Sequence, residues 1–203
     1  MRNSIYNLRV NISSVFLEIA LRLNSHYICA LIILFNIRRL IKSKNKTNIK
    51  RILVFPKSGG NEDLIETYKN KKNNNIDFIV IPRGILKKIY KFFFQGYTKR
   101  DYFTKLNGPN EIDKKNFYIK FLIQTFNQLD KFIKFDGFIS FNLFYFAEKY
   151  FDEISLKLNK KFFVLHKEST FTPIEELNAL KIYAKNNDKS NAKISVYSES
   201  QKT

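Results

Sequence analysis

The chain has 203 residues, is 44% hydrophobic and carries a formal net charge of +18. That length and apolar content support one domain with a real core and set aside a disordered chain. A single cysteine, Cys29, excludes an intrachain disulfide, and two histidines with one cysteine exclude a Cys/His zinc cage, so no such metal site is expected; no cofactor is expected either, for want of a nucleotide-binding glycine motif.

Met1 to Ile41 reads as helix. Ile5, Leu8, Ile12, Val15, Ile19 and Leu23 recur at three and four residues, as on one face of an amphipathic helix. Tyr27 to Ile37 is apolar nearly all round, yet falls short of the ~20 residues needed to span a bilayer. Glu18, Arg22 and Asn24 interrupt any longer apolar window, and no small-residue cleavage site follows that would mark a secretory signal. His26 and Cys29 have metal-like spacing but lack two further ligands. Arg38, Arg39, Lys42, Lys44, Lys46, Lys50 and Arg51 come next. Two readings stay open for residues 1–48. They form an interfacial anchor on an anionic leaflet, or a helix packed on the domain, followed by a solvated basic linker. The expected location is cytoplasmic, with peripheral attachment at the inner face of a membrane on the first reading.

Residues 49–203 alternate strand and helix. Arg51 to Pro56 reads as the first strand, and Asn61 can cap a helix beginning at Glu62 and Asp63. Asn70 to Asn75 is a turn, Ile76 to Ile81 the second strand, and Ile85 to Phe94 a basic helix. After a loop from Gln95 to Asn110, Glu111 to Lys134 is a long helix with Tyr118, Leu122, Phe126, Leu129 and Ile133 as its buried stripe. Phe135 to Phe141 is the third strand. Leu143, Ala147, Tyr150, Ile154 and Leu158 mark a helix, and Lys161 to Leu165 is the fourth strand. Thr172, Pro173 and Glu175 form a helix start with a capping box. Lys193 to Tyr197 is the fifth strand. This alternation predicts an α/β fold, a parallel sheet with helices on both faces, preceded by a long N-terminal helical segment.

Parallel strands collect their following loops at one edge, where ligands of such sheets bind. The residues expected there are Lys57, Ser58, Gly59, Gly60, Asn61, Arg83, Ser140, Asn142, His166, Lys167, Glu168, Ser169, Ser198 and Glu199. Gly59 and Gly60 allow close approach of a ligand, but their spacing matches neither G-x-G-x-x-G nor a Walker A loop. Glu62 and Asp63 complement the dipole of the next helix and would repel a phosphate there, so a sugar or other neutral acceptor suits this loop better. His166 is the best candidate for taking a proton from a hydroxyl near neutral pH, with Glu168 as alternative base or orienting partner.

From Arg51 onward the pattern resembles the amino-terminal half of two-domain GT-B glycosyltransferases, in particular enzymes of cell-surface polysaccharide synthesis. RILVFPKSGG at the first strand, FVLHKES at a later strand end and ISVYSES at the last strand carry the resemblance. It implies a Rossmann-like sheet, a sugar or lipid-linked acceptor as partner, and His166 or Glu168 as base. The donor nucleotide then belongs to a separate donor-binding domain, so the resemblance implies a chain inactive by itself. The positive charge also admits a noncatalytic nucleic-acid-binding or scaffold role, although the aromatic residues fall on core stripes and no nucleic-acid motif appears.

Overall fold

Strands buried on both faces read as near-continuous apolar runs, and their alternation decides which side chains meet on each face. The computed structural model of the chain describes residues 2–43, 47–56, 60–69, 75–96, 109–141, 148, 150–166 and 192–196. Its elements in chain order are α1 (Arg2–Arg22), α2 (His26–Asn36), β1 (Arg38–Ile41), β2 (Lys50–Val54), α3 (Gly60–Lys69), β3 (Ile76–Val80), α4 (Arg83–Phe93), α5 (Pro109–Ile133), β4 (Gly137–Ser140), α6 (Phe151–Lys157), β5 (Lys161–His166) and β6 (Ala192–Val196). The strands form one six-stranded sheet in the order β1-β3-β2-β4-β5-β6. All neighbours are parallel except β1, which pairs antiparallel with β3. The chain is thus a mixed α/β fold with a mostly parallel sheet. The helix expected after Thr172 lies outside the described residues, as do Leu143 and Ala147 of the helix expected from Leu143 to Leu158.

Leu53, Phe55, Ile79, Ile81, Phe138, Phe162 and Val164 share one face with buried residues of α1, α2, α4, α5 and α6. Ile52, Val54, Phe78, Val80, Ile139 and Phe141 share the other with Leu64 of α3, and Tyr68 packs against them. The units β2-α3-β3 and β4-α6-β5 step along the sheet in opposite directions. Right-handed crossovers then require their helices on opposite faces, as found. On the larger side Phe55 lies 5.7 Å from Phe138 and 4.3 Å from Phe151, and Phe126 touches both Phe138 and Phe151. Gly137 has a local reason: a Cβ there would come within 2.6 Å of the Lys161 carbonyl oxygen on the adjacent strand.

The N-terminal region departs from a single helix over residues 1–41. Asn24 takes a left-handed φ of 49°. The Ser25 amide donates to the Ala20 carbonyl at 2.8 Å and the Asn24 amide to that of Leu21 at 3.0 Å. This is the Schellman closure, which Asn tolerates better than most residues. Ser25 then caps α2, its hydroxyl accepting from the Ile28 amide at 3.4 Å. α2 ends at Asn36, and residues 38–41 leave the helix to form the edge strand β1, with Arg38 and Arg39 exposed. Charged side chains suit an edge, where an open ladder would otherwise invite pairing with another chain.

The face expected as the apolar side of α1 also differs. Leu17, Ala20 and Leu21 are buried in the core, whereas Ile12, Val15, Ile19 and Leu23 are exposed. α2 packs along α5 and beside α1, where the Asn36 side-chain amide donates to the Ser13 hydroxyl at 2.8 Å. On α5 the expected stripe holds: Tyr118, Leu122, Phe126 and Leu129 are buried and Ile133 packs against them.

Candidate functional site: the carboxyl edge of the sheet

Because β2, β3, β4, β5 and β6 run parallel, the residues that follow them lie at one edge of the sheet. Connections leave β2 toward β3 on the α3 side and leave β4 toward β5 on the α6 side. In open parallel sheets such a reversal, here beside the ends of β2 and β4, is where ligands bind. Gly60, Asn61, Arg83, Ser140 and His166 are brought to this edge. Lys57, Ser58, Gly59, Asn142, Lys167, Glu168, Ser169, Ser198 and Glu199 lie outside the described residues. His166 is the last residue of β5, and its backbone pairs with Val196.

Gly60 opens α3 and is buried. A Cβ there would sit 2.7 Å from the Phe141 ring, so the space glycine leaves is taken by a core aromatic. Asn61 follows, half-buried, and its side-chain carbonyl oxygen is buried without a hydrogen-bond partner among the described residues. A buried acceptor in that state normally costs stability, about 1–3 kcal/mol. Glu62 and Asp63 occupy the first turn of the same helix. Ser140 is fully buried on β4, in register with Val164.

Arg83 begins α4, and its guanidinium grips Glu148, a residue that sequence reading did not single out. Nε lies 3.1 Å from one carboxylate oxygen, and Nη2 donates to the other at 3.4 Å. The Glu148 side chain is 3% exposed and that of Arg83 35%. The two connections so joined belong to β3 and β4, which flank β2. The pair therefore spans about 10 Å of sheet, two strand spacings. A carboxylate held in this way orients the guanidinium while leaving part of it toward solvent. No local spacing could have found Glu148, because the pairing crosses 65 residues of chain.

A concavity lies elsewhere. Leu17, Leu21, Glu18 and Arg22 of α1 and Lys88, Lys91 and Phe92 of α4 line a groove of about 440 Å³. It is open and lies toward the C-terminal half of α4, which runs away from the carboxyl edge. The His26–Cys29 pair is committed to packing. Burial pushes the Cys29 thiol up to about 12. The His26 ring meets Phe121 edge-on at 4.9 Å, and burial lowers its pKa despite a hydrogen bond with Gln124. Among the described residues no group of three or more His, Cys, Asp or Glu is placed to hold a metal ion. Among them, too, no helix is long and apolar enough to cross a membrane.

Comparison with known proteins finds no matching family model, no matching curated protein and no matching solved structure.

Proposed function

We propose that this chain is a Rossmann-like, acceptor-side unit of a GT-B-type glycosyltransferase of cell-surface polysaccharide synthesis. On this reading it holds a hydroxyl-bearing acceptor, a sugar or lipid-linked sugar, at the carboxyl edge beside β2 and β4. The observation that carries it is Asn61: a buried side-chain acceptor with no donor among the described residues, in the first turn of the helix that follows β2, beside which the sheet order reverses. A sugar hydroxyl is the donor such an atom lacks. Glu62 and Asp63 in the same helical turn disfavour a phosphate in its place. The oriented Arg83 guanidinium offers a further polar contact across the β2 end. His166 or Glu168 acts as base on the acceptor, and a separate donor-binding domain supplies the nucleotide sugar.

Saturation-transfer NMR with a panel of saccharides and water-soluble lipid-linked sugars tests the binding step. The expected result is saccharide binding that weakens at least tenfold in Asn61→Leu. Sugar transfer should appear only when a donor-binding domain is supplied, and should fall in His166→Ala or Glu168→Ala. Absence of binding to any saccharide, or efficient transfer by this chain without a second domain, would overturn the reading.

A further inference from the structure

An amphipathic helix ordinarily shows one apolar face, and α1 shows two. Leu17, Ala20 and Leu21 point into the core. Ile12, Val15, Phe16, Ile19 and Leu23, at spacings of three and four, form a second stripe in solvent, with Val15 61% and Phe16 54% exposed. α2 is similar: Cys29, Ala30, Ile32 and Ile33 are buried, while Tyr27, Leu31 and Phe35, four residues apart, are exposed on the opposite side. The helices form an antiparallel hairpin joined at Asn24–Ser25. Ser13 of α1 faces Asn36 of α2, while Ser14, Glu18 and Arg22 of α1 face α4. With α4 and α5 on the inner side, both stripes fall on the outer side of the hairpin, next to each other. Phe132 of α5 extends the surface beyond Tyr27, with ring centroids 6.0 Å apart. At 1.5 Å of rise per residue and helix axes 8–10 Å apart, the patch covers on the order of 300–400 Å². The largest apolar patch of a monomer is of this order and is often functional, so charge and position decide what it binds.

Charge selects the occupant. No Asp or Glu occurs between Glu18 and Glu62. Exposed Arg38, Arg39 and Lys42 follow the end of α2 that carries Phe35. Exposed Lys120, Lys131 and Lys134 lie on or directly after α5, along the Tyr27 and Phe132 end. Glu18 is engaged by Arg22, and Asp130 by Lys160 and the Phe135 amide. A second copy of the chain would set these cationic rims against each other in a two-fold contact, within a molecule of net charge +18. A bilayer with anionic headgroups satisfies both features at once, since the apolar stripes enter the acyl boundary while the flanking cations reach phosphates. We propose that the outer face of the α1–α2 hairpin docks this protein onto an anionic lipid bilayer, with both helices lying in the plane of the interface.

The chain contains no tryptophan, so a single introduced one reports its own surroundings. Phe16→Trp should blue-shift with vesicles of phosphatidylcholine and phosphatidylglycerol and be quenched by brominated acyl chains. Leu156→Trp, on exposed α6 surface away from the hairpin, should do neither. In flotation, the full chain should partition onto the anionic vesicles at least tenfold better than onto phosphatidylcholine alone, and less at raised salt. Arg38→Gln with Arg39→Gln should lower partitioning by roughly ten- to thirtyfold, at about 1 kcal/mol per cation near the surface. Phe16→Ser with Ile19→Ser should abolish it with the thermal midpoint unchanged. Equal partitioning onto neutral and anionic vesicles would overturn the proposal, as would a Phe16→Trp signal no different from that of Leu156→Trp. A protein that light scattering shows to be dimeric, and that the Ser variants make monomeric with vesicle binding intact, would assign the face to self-association and overturn it equally.

Discussion

The two ends of the sheet use their polar residues differently. At the amino end, carboxylates close backbone groups. Asp136 accepts from the Arg51 amide at 2.8 Å and from Lys50 Nζ at 3.1 Å. Asp77 accepts from the Ser43 amide at 2.7 Å, tying the segment after β1 to β3. Asp130 accepts from the Phe135 amide at 2.9 Å and from Lys160 Nζ at 2.9 Å. Each of these acids completes a main-chain donor that would otherwise be left over, so that end serves the fold. At the carboxyl end an ion pair bridges two connections that are not neighbours, and the Asn61 oxygen is buried without a donor among the described residues. A buried polar group left unpaired calls for an explanation, and a ligand is one.

The largest effect should come from between the ends. Phe138→Ala removes a fully buried ring that contacts Phe55, Phe126, Phe135 and Phe151. A loss of about 3–5 kcal/mol is expected in urea unfolding. A much smaller loss would mean that the aromatic cluster does not join the two halves of the sheet.

Arg83→Ala should cost about 2 kcal/mol by removing the guanidinium that grips the buried Glu148 carboxylate, and more than Glu148→Ala, which leaves an arginine that can reach water. Equal losses would deny that the bridge is anchored on Glu148. At the amino end Asp77→Ala should cost about 1–2 kcal/mol by removing the acceptor of the Ser43 amide. Saccharide binding should be untouched, and a binding defect in this variant would erase the contrast between the ends.

Asn61→Leu sharpens the comparison most directly. An apolar residue of similar size removes the unmatched acceptor, so stability should hold or rise, by up to about 1–3 kcal/mol, while saccharide binding falls. A large destabilisation would mean that Asn61 serves the fold. The smallest effect concerns pH. Burial lowers the His26 pKa below its ordinary value of 6.5, so the unfolded chain takes up the proton first. The His26 contribution is fully present above about pH 6.5 and is lost as pH falls through the lowered folded value. The difference in urea midpoint between the native chain and His26→Gln should therefore shrink on acidification across that window. A constant difference would show that His26 does not titrate differently on folding.

Of the residues expected at the carboxyl edge, Gly60, Asn61, Arg83, Ser140 and His166 fall within the described residues, and a parallel sheet gathers strand ends by topology alone. Placing Asn61, Arg83, Ser140 and His166 there needed only the strand positions and the absence of hairpin turns. Glu148 was not legible, since a residue inside a presumed helix carries no local mark of a partner 65 positions away. The role of Gly60 was misread for a similar reason: glycine signals close approach but not what approaches, and here it is the Phe141 ring. The break at Asn24–Ser25 was written locally, as a left-handed Asn followed by a capping Ser, but the surrounding apolar periodicity outweighed it.

The sequence by itself determined the strands β2 to β6, the buried stripe of α5 and the parallel α/β character. Runs of Ile, Val, Leu and Phe bounded by polar turns have few other ways to bury both faces. Only the tertiary structure decided the role of residues 38–41 and the orientation of α1. Arg38 to Ile41 becomes a strand because the β3 edge offers it a ladder, a partner some forty residues away. α1 carries two apolar sectors with the same helical period, so periodicity cannot rank them. Packing against α2 and α4 buried Leu17, Ala20 and Leu21 and left Ile12, Val15, Phe16, Ile19 and Leu23 outside.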